Sequence, residues 1–384
     1  MVHTFEIYKK ISKYVYQNLI NSGLFSYNSN NRGFYYADFE KLKEKGINKI
    51  FLKSYSLKNN NDNGYFIRIV INPSKMFDKN ANAVSILNMT DFDYGKLEQY
   101  FSLTMEEAFK NKLQNSDAMN IVYCLADIHN YSITRIDYCI NLFLSNQQEV
   151  DQYLKLLSKG DIPHKYGAKF TRNRCGCYYV NERVNINFYN KFFQMLTHNK
   201  QTKTEEKKYS QAELDSAKKI LRLEVQCKSK MFGSQSFKKR YGNDRTQYFS
   251  SIIARDILYK YLVEVSQNGD YYKYSKVYEK IELQRPNNFN PSKRKTICRY
   301  QKMMNLFREV SKPNCKGLWS YRKKLSKDKS KKMNEDLKLF DEIGVNVITI
   351  PSTYKKDSLP NLWKIAEEQH FHRLEAWVKL NYAY

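Results

Sequence analysis

Residues 133–144 read ITRIDYCINLFL. On an extended chain neighbouring side chains point to opposite faces, and side chains two apart share one. Arg135, Asp137, Cys139 and Asn141 therefore fall on one face, while Ile136, Tyr138 and Ile140 fall on the other. Two later stretches behave alike. In NINFYNK, residues 185–191, Asn185, Asn187, Tyr189 and Lys191 share a face backed by Ile186 and Phe188. In LRLEVQCK, residues 221–228, Arg222, Glu224, Gln226 and Lys228 alternate with Leu221, Leu223 and Val225. One such strand is what any half-solvated antiparallel sheet displays. Three of them, set side by side, would bring two carboxylates, a phenol and a lysine onto one open sheet face.

Outward from these strands the chain alternates strand and helix signals. Upstream, KIFLKSYSL and YFIRIVINP flank a polar stretch ending in Asn63-Gly64, a dipeptide suited to a hairpin turn, and Pro73 stops the second strand. Residues 91–120 read as helix, as do residues 147–157 with Val150, Tyr153, Leu154 and Leu157 on one stripe. Asn181-Glu182-Arg183 marks a turn between residues 175–180 and the Tyr189 strand. Ser210 and Glu213 form a capping box. Beyond residue 240 the apolar spacing becomes helical, Gly344 stops a helix, and VNVITIP, residues 345–351, reads as a short strand. The expected fold is α+β: an antiparallel sheet with helices on one face forming a nicking domain, then a mainly helical, basic C-terminal region. The expected divisions are an N-terminal lobe over 1–125, a catalytic lobe over 126–240 and a DNA-recognition region over 241–384.

Lys and Arg outnumber Asp and Glu by 65 to 39 in 384 residues, a net charge of +26. Such an excess attracts a polyanion, nucleic acid first, with an anionic membrane or an acidic protein as the alternatives. The 32 Tyr and 22 Phe offer stacking surfaces for unpaired bases as well as core. The basic segments SFKKRYGNDR, with Lys238, Lys239 and Arg240, and 316–332, with Arg322, Lys323 and Lys324, are candidate phosphate contacts, joined by Lys228. No run approaches the ~18 apolar residues of a membrane span, and MVHTFEIYKKISKY lacks a signal core. Seven Cys argue against a disulfide framework, so a cytoplasmic location is expected. Cys175 and Cys177 lack a second pair at zinc spacing and read as ordinary strand residues.

The residues on the polar strand faces suit one chemistry. Cleaving a phosphodiester with an amino-acid nucleophile needs an oxygen nucleophile and a cation on the phosphoryl oxygens. Tyr189 supplies the phenol, and the hard oxygens of Asp137 and Glu224 suit Mg²⁺ or Mn²⁺. In that order ITRIDYCINL, NINFYNKFFQ and LRLEVQCK resemble the three core motifs of the Rep_trans family of rolling-circle replication initiators, whose relatives include phage replication proteins and conjugative relaxases. IRIVINPSKMF, residues 67–77, resembles an upstream family strand, so the resemblance spans about residues 65–235. It implies Tyr189 as the nicking nucleophile and Asp137 and Glu224 as metal ligands, with Asn141 standing where the family often has a second acid, while Arg135 and Lys191 are placed to help hold the strand. Transesterification at Tyr189 would leave a 5′-phosphotyrosine and a free 3′-hydroxyl primer, at a hairpin or single-stranded nick site in origin DNA, and the resemblance also implies a homodimer. No phosphate-binding loop is present, so a host helicase and polymerase are the expected partners.

Rival readings stay open. A relaxase would use the same chemistry, and a non-catalytic DNA-binding protein could keep the fold, a reading that Asn141 favours. His370-Phe371-His372 has the spacing of a metal pair but sits in a helical stretch, where residues two apart diverge. His129 and His164 read as loop residues, and Tyr138 and Tyr179 are rival phenols, Tyr138 on the apolar face.

Overall fold

Runs of Ile, Val, Tyr and Phe alternating with polar residues make extended structure the favoured backbone state. The computed structural model describes residues 1–371, apart from 29–33, 38–39, 57–62, 79, 83, 87–90, 111, 114–116, 162–166, 171–175, 202–208 and 287–293. The chain divides into two compact units. The first holds Met1–Cys139, Glu182–Val184 and Glu224–Ile257; the second holds Ile140–Asn181, Asn185–Leu223 and Leu258–Tyr384. The class is α+β, and every pair of named strands with a described register is antiparallel.

The strands are β1 (Val2–Ile11), β2 (Ser26–Asn28), β3 (Phe34–Ala37), β4 (Ile47–Ser56), β5 (Asn63–Ile71), β6 (Ser132–Phe143), β7 (Gly167–Phe170), β8 (Gly176–Val180), β9 (Val184–Asn190) and β10 (Ile220–Lys228), with a separate short pair, β11 (Tyr271–Tyr272) and β12 (Ser358–Leu359). In the first unit the order is β2-β3-β4-β5-β1-β6-β10, with β6 and β10 each contributing the part that belongs there. In the second it is β6-β10-β9-β8-β7.

The β4–β5 hairpin pairs Ile47 with Ile71 at one end and Ser56 with Asn63 at the other. The turn expected at Asn63-Gly64 is corrected: both residues lie inside β5, and the turn falls outside the described residues. Gly64 is set by a close approach, because a Cβ there would stand 2.4 Å from a ring carbon of Tyr55. Ile71 ends β5, and Pro73 opens a short helix, Pro73–Phe77, whose cap Asn72 accepts from the Lys75 amide at 3.3 Å. Proline suits that first position because its missing N–H has no partner there anyway. Residues 91–120 form two helices rather than one, Asp91–Phe109 and Ala118–Ala126. Leu97, Phe101 and Met105 line the fully buried stripe of the first.

In the second unit the helix Gln147–Leu157 buries Val150, Tyr153, Leu154 and Leu157, as their spacing predicts, and Asn146 caps it by accepting from the Glu149 amide at 3.0 Å. The Ser210–Glu213 capping box is present. Helices dominate beyond residue 257, with Arg294–Val310 and Lys327–Glu342 the longest after Leu258. Gly344 follows the latter at φ +68, as expected of a helix stop. VNVITIP is not a strand. It makes single bridges, Asp270 to Val345 and Lys273 to Ile350, while the Asn346 side-chain amide donates to the Ser266 carbonyl at 2.6 Å. The bridges flank the short strand Tyr271–Tyr272, with the Asn346 backbone amide donating to the Asp270 carbonyl at 2.8 Å and the Ile350 amide to the Tyr272 carbonyl at 2.9 Å, so the segment runs beside that strand without forming a continuous ladder.

Candidate active site

The middle of the polar faces of β6 and β10 is buried, not open. Asp137 is 2% exposed, Asn141 4%, Arg222 0% and Glu224 8%. A buried polar group must find partners or lose free energy, so the contacts of these side chains define the site.

In the first unit β1 lies between β5 and β6. It pairs Thr4 with Asp137 and Glu6 with Arg135, with register shifts between Val2 and Thr4 and between Glu6 and Ile7. Each shift inserts an irregularity that re-aims side chains, and between them the four polar residues sit opposite one another. The Thr4 hydroxyl donates to Asp137 Oδ2. Arg135 Nε stands 2.9 Å from Asp137 Oδ1, an ion pair off the direction of a hydrogen bond. Arg135 also reaches Glu6 at 3.7 Å, as does Arg68 from β5, and the Thr134 hydroxyl donates to Glu6 Oε1 at 2.8 Å. On β10 the Gln226 amide donates to Glu224 Oε1 at 2.7 Å. Thr4, Glu6 and Arg68 do not stand out in the sequence. Thr4 and Glu6 alternate with Phe5 and Ile7 in the same two-residue rhythm, the one signal that could have flagged β1.

The Asp137 carboxyl is pushed up to about 7, first by burial and then by the charge of Glu224, with Arg135 and the Thr4 hydroxyl pulling it back down. Two carboxylates close enough to repel disfavour joint ionisation. A cation placed beside them would relieve that repulsion.

In the second unit Tyr189 is the penultimate residue of β9 and 6% exposed. Asn190 ends the strand and caps the helix Lys191–Gln201: its Oδ1 accepts from the Phe193 amide at 3.3 Å and its Nδ2 donates to Asp151 at 3.1 Å. Tyr189 thus lies two residues before the helix Lys191–Gln201, and a helix N-terminus favours negative charge near it. Lys191 is corrected. It opens that helix instead of sharing a strand face with Tyr189, because the Asn190 cap turns the backbone, and its ammonium donates to Gln194 at 2.8 Å. Asn141 also differs from expectation as a metal ligand, since its Oδ1 accepts from Arg222 Nε at 2.7 Å. His370 Nε2 lies 2.7 Å from the Asn141 carbonyl, and burial pushes its imidazole down. It belongs to the helical turn Glu367–Phe371, as expected, while His372 lies outside the described residues.

The Phage_CRI family model, which describes the N-terminal part of a replication-associated protein, matches residues 33–247. The chain belongs to that family of rolling-circle replication initiators. No curated protein and no solved structure matches it. The expected kinship with such initiators is borne out, through the Phage_CRI model. The matched span of this initiator contains Arg135, Asp137, Tyr189 and Glu224, and it ends before the basic stretch that begins at Lys316. Rolling-circle initiators are generally nicking endonucleases.

The remaining candidates in this initiator separate by burial. Lys238, Lys239, Lys323 and Lys324 are exposed, and Lys228 is half-buried with its ammonium lowered by desolvation. Arg240 is exposed and paired with Asp256 at 2.7 Å. Arg322 is corrected as a phosphate contact: it is 5% exposed, with Nε donating to Asp161 at 2.7 Å and Nη1 to Ser330 at 2.9 Å. Of the rival phenols, Tyr138 donates to the Tyr248 carbonyl at 2.6 Å and Tyr179 to the Leu157 carbonyl at 3.0 Å. Burial pushes both well up, so neither ionises readily. His129 is exposed and pairs with Glu98 at 2.8 Å; His164 and Cys175 lie outside the described residues. No described helix is long and apolar enough to cross a membrane.

Among the described residues no group of three or more His, Cys, Asp and Glu is arranged around a metal. Asp137 and Glu224 are the two carboxylates of the site that could contribute to holding a hard cation such as Mg²⁺ or Mn²⁺. Mg²⁺ commonly uses one or two carboxylates and completes its shell with water and substrate phosphate, and the mutual repulsion of this pair is what a cation would relieve.

Proposed function

We propose that this initiator nicks one strand of origin DNA by transesterification at Tyr189. The Tyr189 oxygen attacks the scissile phosphorus, the bond from phosphorus to the 3′-oxygen breaks, and the phenol proton leaves to a base. The 3′-oxygen takes up a proton, leaving a 5′-phosphotyrosine and a 3′-hydroxyl. One phosphodiester is exchanged for another, so no nucleotide is consumed, and the hydroxyl primes a polymerase while a host helicase opens the duplex. Asp137 and Glu224 are the residues that would hold Mg²⁺ or Mn²⁺, whose role is to neutralise charge on the phosphoryl oxygens. The helix that begins at Lys191 favours negative charge beside Tyr189. Arg135 holds the Asp137 carboxyl in place, and Glu6 in turn holds Arg135. The nick site is a hairpin or single-stranded segment, because an in-line attack needs an exposed phosphate, and the initiator acts as a homodimer.

The observation that carries this reading is the buried, mutually repelling Asp137–Glu224 pair in a chain of this family. Supercoiled DNA carrying the protein's own gene region is incubated with and without Mg²⁺ or Mn²⁺. The expected result is nicking with a denaturant-resistant protein–DNA adduct that is absent without metal and absent from Tyr189→Phe. An adduct that persists in Tyr189→Phe would move the nucleophile elsewhere. Nicking without an adduct would replace transesterification with hydrolysis.

A further inference from the structure

The segment Gly242–Arg245, flagged in the sequence only as part of a basic stretch, contributes Asn243 and Arg245 to two hollows of the first unit. It follows the helix Gln235–Tyr241, with Gly242 at φ +81, and leads into the helical turn Thr246–Phe249. One hollow has a volume of about 310 Å³. Its floor is apolar and aromatic: Phe5, Phe249 and Tyr131 are at most 3% exposed. Tyr94 is a half-buried wall, its ring centroid 5.3 Å from that of Phe249 and tilted 43° to it. The rim is polar. Asn243, Asp244 and Arg245 are exposed, and Arg245 Nη1 is steadied by donating to the Tyr131 carbonyl at 3.2 Å.

The second hollow, about 420 Å³, shares Ile133, Asn243 and Arg245 with the first. It carries the Ser132 and Ser229 hydroxyls and Lys238, and no carboxylate is among its described lining residues. An aromatic cleft with donors and acceptors at its mouth matches a flat heterocycle with a hydrogen-bonding edge. A neighbouring cleft of hydroxyls and cations matches a phosphate. The two features lie on either side of one arginine.

We infer that these paired hollows capture one nucleotide of an unpaired DNA strand, the base against Tyr94, which Phe249 backs, and the adjoining phosphate against Lys238, Ser132 and Arg245. The inference rests on the initiator reading for its ligand, a single strand exposed at an origin. Stacking on an aromatic side chain stabilises any base, because every base has a π-face, and it works only on bases that have left the duplex. The site therefore tells opened DNA from closed DNA without reading its sequence.

The test compares binding of a fluorescent thymidine 12-mer with binding of an abasic 12-mer of equal charge. Wild type is expected to prefer the thymidine strand. Tyr94→Leu, which removes the ring from a half-buried position, is expected to reduce that preference about tenfold, the equivalent of one lost stack. Arg245→Ala is expected to weaken binding of both strands. Thermal unfolding of each variant confirms that it is folded. No preference in wild type, or a preference unchanged within about twofold in folded Tyr94→Leu, overturns the inference. Nicking by wild type together with either of those results removes the pocket and leaves the initiator reading intact. A Tyr94-dependent preference in a protein that forms no adduct does the reverse.

Discussion

Asp137 is the residue on which the site turns, and its titration has a stability consequence. Folding holds its carboxyl up at about 7 against an ordinary value of 3.8. Between those values the folded chain keeps a proton that the unfolded chain has released, so metal-free protein loses stability as pH rises through that window. Above it the loss is complete, on the order of a few kcal/mol. Urea unfolding in chelator is expected to give a lower midpoint at about pH 8 than at about pH 5. Asp137→Asn, which has no proton to lose, is expected to flatten that difference. An undiminished difference in Asp137→Asn would place the responsible group elsewhere. Adding Mg²⁺ at the higher pH should restore stability to wild type and not to the variant, since a ligand that binds only the folded state stabilises it.

At the scale of elements, what was legible in the sequence followed from local periodicity. The two-residue rhythm of 133–144, 185–190 and 221–228 appears as β6, β9 and β10, and the caps at Asn146 and Ser210 act where their spacing places them. The misses share a cause. Lys191 continues the rhythm of β9 on paper, but Asn190 can cap a helix as well as extend a strand, and the packing of Asn190 against Asp151 decides it. Thr4 and Glu6 joined the site only because β1, more than 120 residues away in sequence, pairs with β6, and such long-range pairing is not written in either strand. Arg322 looked like a surface cation because its neighbours Lys323 and Lys324 are. It instead ties the helix Leu318–Arg322 to the helix Lys327–Glu342 through Ser330 and Asn334, and to Asp161. Removing one member of a buried pair strands its partner, at a cost of about 3–5 kcal/mol. Arg322→Ala is therefore expected to lower the unfolding midpoint strongly, and Lys323→Ala and Lys324→Ala to leave it nearly unchanged. Equal and small effects for all three would return Arg322 to the surface.

For the whole molecule, a charge of +26 draws any polyanion, so binding alone says little about which cations touch DNA. The salt dependence does. Each phosphate neutralised by a protein cation releases condensed counterions, and for single strands contributes about 0.7 to the slope of log affinity against log salt. Lys238 and Lys239 are exposed, so their double alanine variant is expected to flatten the slope by about 1.4. Arg240 already faces Asp256 at 2.7 Å. To meet a phosphate it would first have to leave a carboxylate, and Arg240→Ala is expected to change the slope by clearly less than either lysine. Arg322→Ala, measured below its unfolding temperature, is expected to leave the slope alone. Titrating a labelled single strand across a range of salt concentrations reads all of these variants. A slope insensitive to Lys238 and Lys239 would mean that the attraction of this face is diffuse, with no phosphate held at a defined position, and the ammonium facing the second hollow would then have no part in seating a nucleotide.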